Sequence, residues 1–149
     1  MFLNNAEEVG KHLDALKQEK GLEDYCVRCG VCCFASVLLV DGQKLVKVSI
    51  PELPCKFLER TGPRKYKCSV YKDRFRKAPW CLDLFKGFLQ GVYPDRCPYV
   101  SKMDNYRGTL VLPEERYSAV KNTLRNAIKE HPEGAVAFDP KDYERFLDL

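Results

Sequence analysis

Cys26-Val27-Arg28-Cys29-Gly30-Val31-Cys32-Cys33 places four thiols within eight residues, with a glycine among them. Two residues between thiols let a tight turn point both sulfurs at one centre, and the thiolate is the ligand that soft and borderline metals prefer. Gly30 can take a positive φ that most residues resist, so the backbone can curl while its amides turn toward the sulfurs. A disulfide framework, or buried cysteines without chemistry, are the competing readings. Metal-site spacing in a chain with no secretory context favours ligation over both.

Working outward, the remaining thiols are spread: Cys55, Cys68, Cys81 and Cys97. The first three are thirteen residues apart, but their surroundings do not match as a repeat. Adjacent side chains such as Cys32 and Cys33 diverge, so both seldom serve one mononuclear site. Three arrangements follow. One four-sulfur site takes three thiols from the knuckle and one from the spread set; two sites share all eight, with Cys32 and Cys33 feeding different centres; or a multi-iron cluster exploits the divergence directly. Zinc would give a rigid tetrahedral site without redox activity, and iron–sulfur ligation uses the same thiolates for electron transfer or sensing. Iron is favoured slightly, because eight thiols with an adjacent pair exceed what one structural zinc needs.

The rest of the chain supports one folded domain of 149 residues, 45% hydrophobic and 31% charged. No apolar run approaches the ~20 residues that cross a bilayer. The start lacks a basic region followed by a long apolar one, so a cytoplasmic location is expected. The formal charge of +4 is too mild to imply nucleic acid by itself. Much of the excess lies in Lys56, Arg60, Arg64, Lys65, Lys67, Lys72, Arg74, Arg76 and Lys77. A nucleic-acid patch is the weakest reading of this stretch. A solvated face, or basic groups offsetting the roughly −2 charge of four thiolates on Zn²⁺, are stronger.

Periodicity predicts an α+β fold. Val9, Leu13 and Leu16 recur at helical spacing over residues 4–20, with Asn4 or Asn5 as cap and Gly21 as stop. His12 lies close to that face and reads as an ordinary, partly buried histidine rather than a ligand. Asp41-Gly42 between two strand-like runs, 34–40 and 43–50, predicts a hairpin. Thr61-Gly62-Pro63 marks a second. A helical pattern runs from Pro79 to Gly91, with Trp80, Phe85 and Phe88 as core aromatics. Residues 108–112 form a short apolar stretch. Pro113-Glu114-Glu115 then starts a helix carrying Tyr117, Val120, Leu124 and Ile128, and Asp139-Pro140 opens a last one with Tyr143, Phe146 and Leu147. The expected organisation is a cysteine-cluster metal-binding domain over 1–112, with C-terminal helices over 113–149 packed on it.

Cys-x-x-Cys-Gly-x-Cys-Cys, followed by Cys55-Lys56-Phe57-Leu58, Cys68-Ser69-Val70-Tyr71-Lys72-Asp73-Arg74 and Cys81, resembles the CxxCxxCC family. These YkgJ-type cysteine-cluster proteins are described as zinc- or iron-chelating domains. The likeness covers about residues 22–85. It implies that Cys26, Cys29, Cys32, Cys33, Cys55, Cys68 and Cys81 form the metal-binding set. Phe75 stands where the family usually has proline, and Cys81 falls later than its counterpart. Cys97 lies outside the matched part; its Cys97-Pro98 step recurs in iron–sulfur ligation, and it joins the candidate ligands on that ground.

The family resembled also includes flagellin lysine methylases, which are much longer, and no glycine-rich cofactor loop matches here. A nucleophile elbow, a His-Glu-x-x-His site and a P-loop are all absent from the sequence. A thiol that escapes ligation among the basic residues would have a lowered pKa and could react. The expectation is therefore a metal-binding module holding an iron–sulfur cluster, iron or zinc, rather than a standalone enzyme, and no catalytic residue is assigned. Its partner would be a protein: a redox partner, or a larger complex in which zinc stabilises an accessory subunit that docks through the C-terminal helices.

Overall fold

The computed structural model describes residues 3–148. Met1 and Phe2, where the expected leaderless start begins, and Leu149 fall outside the described residues. The architecture is α+β, with helices at both ends around two small sheets.

Helix α1 (Ala6–Glu19) starts where the Asn5 side chain accepts the Glu8 amide at 3.0 Å. Asn4, the other candidate cap, has a different task. It is buried, its amide donates to the Phe88 and Arg107 carbonyls, and its oxygen accepts the Arg107 N–H. The helix buries Val9, Leu13 and Leu16, as their spacing requires. His12 bonds the Tyr99 carbonyl at 2.7 Å and meets Phe88 edge-on, which accounts for its place on this face.

After the cysteine knuckle, β1 (Phe34–Asp41) and β2 (Lys44–Pro54) form the antiparallel hairpin read around Asp41-Gly42, with Val40 opposite Leu45. Gly42 takes φ 65°, which the turn demands. A second hairpin pairs β3 (Leu58–Gly62) with β4 (Lys65–Cys68). A one-turn helix, α2 (Arg74–Lys77), follows and has no counterpart in the sequence reading. Helix α3 (Leu84–Gln90) begins later than the expected Pro79, because the Asp83 side chain caps it by accepting the Lys86 amide at 2.8 Å. Trp80, Cys81 and Leu82 therefore lie on a non-helical link. Gly91 closes α3 at φ 68°.

Strand β5 (Leu110–Val111) joins β2 in parallel, giving the order β1-β2-β5. Ser49, placed by alternation on the same face of β2 as Lys47, is buried because its hydroxyl meets that of Thr109 at 2.6 Å. A 3-10 turn at Glu114–Arg116 precedes α4 (Tyr117–Glu130), and α5 (Pro140–Asp148) ends the described chain.

Two apolar clusters hold the fold. Ile50 and Leu53 of β2 pack with Val120 and Leu124 of α4 and with Phe146 of α5. Each such side chain contributes about 1.5–3 kcal/mol when fully buried. Tyr117, Val120, Leu124 and Phe146, the residues offered above for docking a larger complex, are thus spent inside this chain's own core. The second cluster joins Val9, Leu13 and Leu16 to Tyr25, Phe88, Tyr93, Cys97 and Val100. Among the described residues no helix is long and apolar enough to cross a membrane.

Candidate metal centre

The knuckle curls at two points. Arg28 takes φ 59° and Gly30 φ 79°, and a 3-10 turn over Val31–Cys33 is closed by the Cys33 amide on the Gly30 carbonyl at 2.9 Å. A side chain at Gly30 would meet the Tyr66 ring, whose Cδ2 stands 2.6 Å from the position of a Cβ. The Tyr66 amide in turn donates to the Arg28 carbonyl at 2.9 Å, so β4 is tied to the knuckle. The Arg28 amide points at Cys26 Sγ, 3.3 Å away, the kind of backbone donor that stabilises a thiolate.

All eight cysteines are free thiols. Cys26 and Cys32 lie at the surface, Cys97 is buried, and the other five are half-buried. The Cys32 and Cys33 sulfurs stand 4.0 Å apart, in reach of a weak S–H···S hydrogen bond that either thiol could donate. That bond lifts Cys32 well above the usual thiol range, with the neighbouring sulfurs of Cys33, Cys26 and Cys29 acting the same way. Cys33 is the member that ionises first: the Cys32 bond lowers it, and the Arg74 guanidinium supports its thiolate against burial.

The spread cysteines reach the knuckle from separate elements. The Cys55 amide donates to the Cys33 carbonyl at 2.7 Å. Cys68 pairs with Leu58 across the second hairpin, whose Leu58 amide bonds the Cys55 carbonyl at 2.9 Å. Cys81 follows Trp80, which stacks on Phe57 with the ring planes 2° apart. Burial raises the Cys68 thiol, and the Cys33 and Cys55 sulfurs add to it while Arg74 opposes. Burial likewise raises Cys81, next to the sulfurs of Cys33, Cys68 and Cys55, again opposed by Arg74. Cys97 sits elsewhere, in the second apolar cluster with Tyr25, and burial pushes its thiol up to about 11, helped by the charges of Cys29 and Cys26.

Among the described residues no group of three or more His, Cys, Asp or Glu side chains forms a ready-made metal site. The donor set nevertheless fits a thiophilic centre in kind: eight free thiols, a left-handed glycine turn, and an Arg74 charge that favours the thiolates of Cys33, Cys68 and Cys81. A further sign is the Trp80 indole N–H, buried with no hydrogen-bond partner. Such an orphan donor costs about 1–3 kcal/mol, which a sulfur acceptor nearby would recover.

Of the basic stretch, Arg74 is the cation whose charge acts on Cys33, Cys68 and Cys81, while its guanidinium donates to the Tyr71 carbonyl; Lys67 and Arg76 make exposed ion pairs with Glu59 and Asp73. The sequence reading passed over Trp80 as core and Tyr66 as strand. Their positions beside cysteines are the one signal that marks them, and it is weak without the turn at Gly30.

No family model matches the chain, and no solved structure does. It is 35% identical over 92 residues to an uncharacterized protein of Methanocaldococcus jannaschii, covering 61% of this chain and 62% of that one. It is 30% identical over 91 residues to a UPF0260 protein of Granulibacter bethesdensis, covering 60% of this chain and 51% of the relative. The chain thus spans less than two thirds of the length of these curated relatives, and neither name assigns an activity.

Proposed function

We propose that this protein is a metal-binding module of the CxxCxxCC type, which holds an iron–sulfur cluster, or alternatively zinc, through its cysteine thiolates and acts in chelation or redox chemistry. The observation that carries this reading is the set of eight free thiols, with the knuckle tied by backbone hydrogen bonds to Cys55 and to the hairpin that carries Cys68. A cluster would supply one-electron chemistry, and zinc a fixed tetrahedral scaffold.

The chain's own residues prepare that ligation. Thiols must lose protons to bind a metal, and Arg74 favours the charged form of Cys33, Cys68 and Cys81. Gly30, having no Cβ, leaves room for the Tyr66 ring against the left-handed turn of the knuckle. Iron ranks ahead of zinc because the thiols exceed the needs of one tetrahedral site.

The test is metal and acid-labile sulfide content, with a visible absorption spectrum, on the full chain purified without oxygen. Iron with sulfide and thiolate-to-iron charge-transfer absorption supports the redox form of the reading. Zinc without sulfide supports the alternative, a structural site. Cleanly purified protein with no bound metal overturns both.

A further inference from the structure

Adjacent cysteine side chains tend to diverge, yet the Cys32 and Cys33 sulfurs lie 4.0 Å apart, the one sulfur–sulfur contact found among the described residues. The 3-10 turn over Val31–Cys33 brings them together. Backbone bonds hold the pair on both sides: the Cys33 amide donates to the Gly30 carbonyl at 2.9 Å, and the Cys33 carbonyl accepts the Cys55 amide at 2.7 Å. The two thiols differ in access, Cys32 being exposed and Cys33 half-buried. An accessible thiol with a second poised beside it is the arrangement of redox-responsive cysteines, the first meeting the oxidant and the second resolving the product.

We propose that Cys32 and Cys33 form a thiol–disulfide couple, oxidised by exchange with a low-molecular-weight disulfide, and that oxidation withdraws both sulfurs from metal binding. The couple stands on the sulfur contact, and its effect on metal loading rests on the thiolate-module reading above. In the first step the exposed Cys32 sulfur attacks one sulfur of the incoming disulfide, RSSR. The S–S bond of RSSR breaks, and one RSH leaves with the Cys32 proton. The Cys33 sulfur then attacks the Cys32 sulfur of the mixed disulfide, and a second RSH leaves with the Cys33 proton. Two protein thiols are oxidised to one disulfide, and RSSR is reduced to two thiols, so protons and electrons balance with no further reactant.

Closure between neighbours makes the bond reversible. Consecutive Cα atoms are about 3.8 Å apart across a trans peptide, whereas disulfides usually join Cα atoms about 4.4–6.8 Å apart. The Cys32–Cys33 disulfide therefore forms under strain, and strained, exposed disulfides are the readily reduced ones that serve as switches. The pair stays reduced at a reducing poise and closes when the oxidised pool rises. Cys29, three residues before Cys32, is the competing partner, through an ordinary C-x-x-C disulfide.

The experiment takes the full chain, stripped of metal with a chelator under anaerobic conditions, through glutathione buffers of rising oxidised share. Remaining thiols are alkylated at each step, and mass-spectrometric fragmentation locates each bond. Cys32 and Cys33 should lose alkylation together, before the other six thiols, joined to each other and retaining no glutathione. Cys29→Ser, shown to be folded by circular dichroism, should behave the same way; the wild-type map decides without it should that variant unfold. A bond from Cys32 to Cys29, glutathione held on Cys32 while Cys33 still alkylates, or loss of the paired oxidation in folded Cys29→Ser overturns the couple. Zinc content after loading is then compared between the reduced chain and the chain oxidised at this pair, and the oxidised form should hold less. Equal zinc in both overturns the effect on loading and leaves the couple and the binding function intact. No zinc or iron in either form overturns the function on which that effect rests, while the map still decides the couple.

Discussion

The Cys55 amide donates to the Cys33 carbonyl at 2.7 Å, so two cysteines far apart in the chain are fixed side by side by the backbone alone. The bond extends the β1–β2 ladder beyond its last strand pair, Phe34 with Pro54. Placement of the Cys33 and Cys55 thiols is therefore a consequence of hairpin register. Register is strongly held here because Ile50 and Leu53 of β2 are fully buried.

Arg74 should set the pH at which this neighbourhood takes up metal. Its charge opposes the upward shifts of Cys68 and Cys81 and helps to lower Cys33. Arg74→Gln removes that help, so these thiols ionise at higher pH and metal uptake begins at higher pH. Alkylation of metal-free protein across a pH series, read site by site, should show slower reaction at Cys33, Cys68 and Cys81. Cys97, for which Arg74 is not among the acting charges, should be unchanged. An equal slowing at all four sites would show that the substitution acts through the fold.

Gly30 offers a sharper test of the knuckle. Gly30→Ala must hold a left-handed φ of 79° and place a Cβ 2.6 Å from the Tyr66 ring. The conformational part costs about 1–2 kcal/mol, and the clash adds to it. Gly42→Ala shares a positive φ, 65°, but its Cβ would meet open space, so only the first cost applies. Denaturant titration should therefore find Gly30→Ala less stable than Gly42→Ala. Adding Tyr66→Ala to Gly30→Ala should cost less than the sum of the two single changes, because the clash is gone.

Much of this fold was legible, for local reasons. Caps and helical spacing mark α1, α4 and α5, and Asp41-Gly42 marks the first hairpin, because each signal lies within a few residues of the structure it specifies. What escaped was non-local. Nothing near Leu110 says that it pairs in parallel with Val48, nor that Thr109 will cover Ser49. Pro79 looked able to open α3, and the cap bond from the Lys86 amide to Asp83 starts it later. The candidate ligands were legible as a set, since thiols at metal spacing are a chemical signal. Their surroundings were not, because these depend on a backbone bond between Cys33 and Cys55 and on ring contacts such as that of Trp80 on Phe57.

Asn4 and Asn5 look alike in sequence and should differ in cost. Asn5→Ala loses one exposed cap bond, worth about 1 kcal/mol. Asn4→Ala strips partners from the Phe88 and Arg107 carbonyls and the Arg107 amide, at a buried position where α1 meets α3. Unmet groups of that kind cost about 1–3 kcal/mol each before relaxation, so a loss of about 3 kcal/mol is expected. Urea denaturation of both variants checks the ranking; equal losses would mean that water restores the Asn4 bonds.

Cys97 ties stability to pH, and the sign depends on metal. In the metal-free chain its thiol is held up to about 11, from an ordinary 9.0. The folded state then keeps a proton that the unfolded state releases, so this stabilisation is complete below pH 9.0 and fades as pH rises toward about 11. Two pKa units correspond to about 2–3 kcal/mol. Metal-free Cys97→Ala should therefore lose less stability than wild type between those limits, whatever its stability at neutral pH. Binding of metal reverses the dependence, because the bound form is the thiolate: loaded wild type should weaken on acidification, as protons compete for the sulfur. Thermal melts of both forms across pH test the two slopes. An alkaline slope that Cys97→Ala leaves unchanged would place the responsible thiol elsewhere.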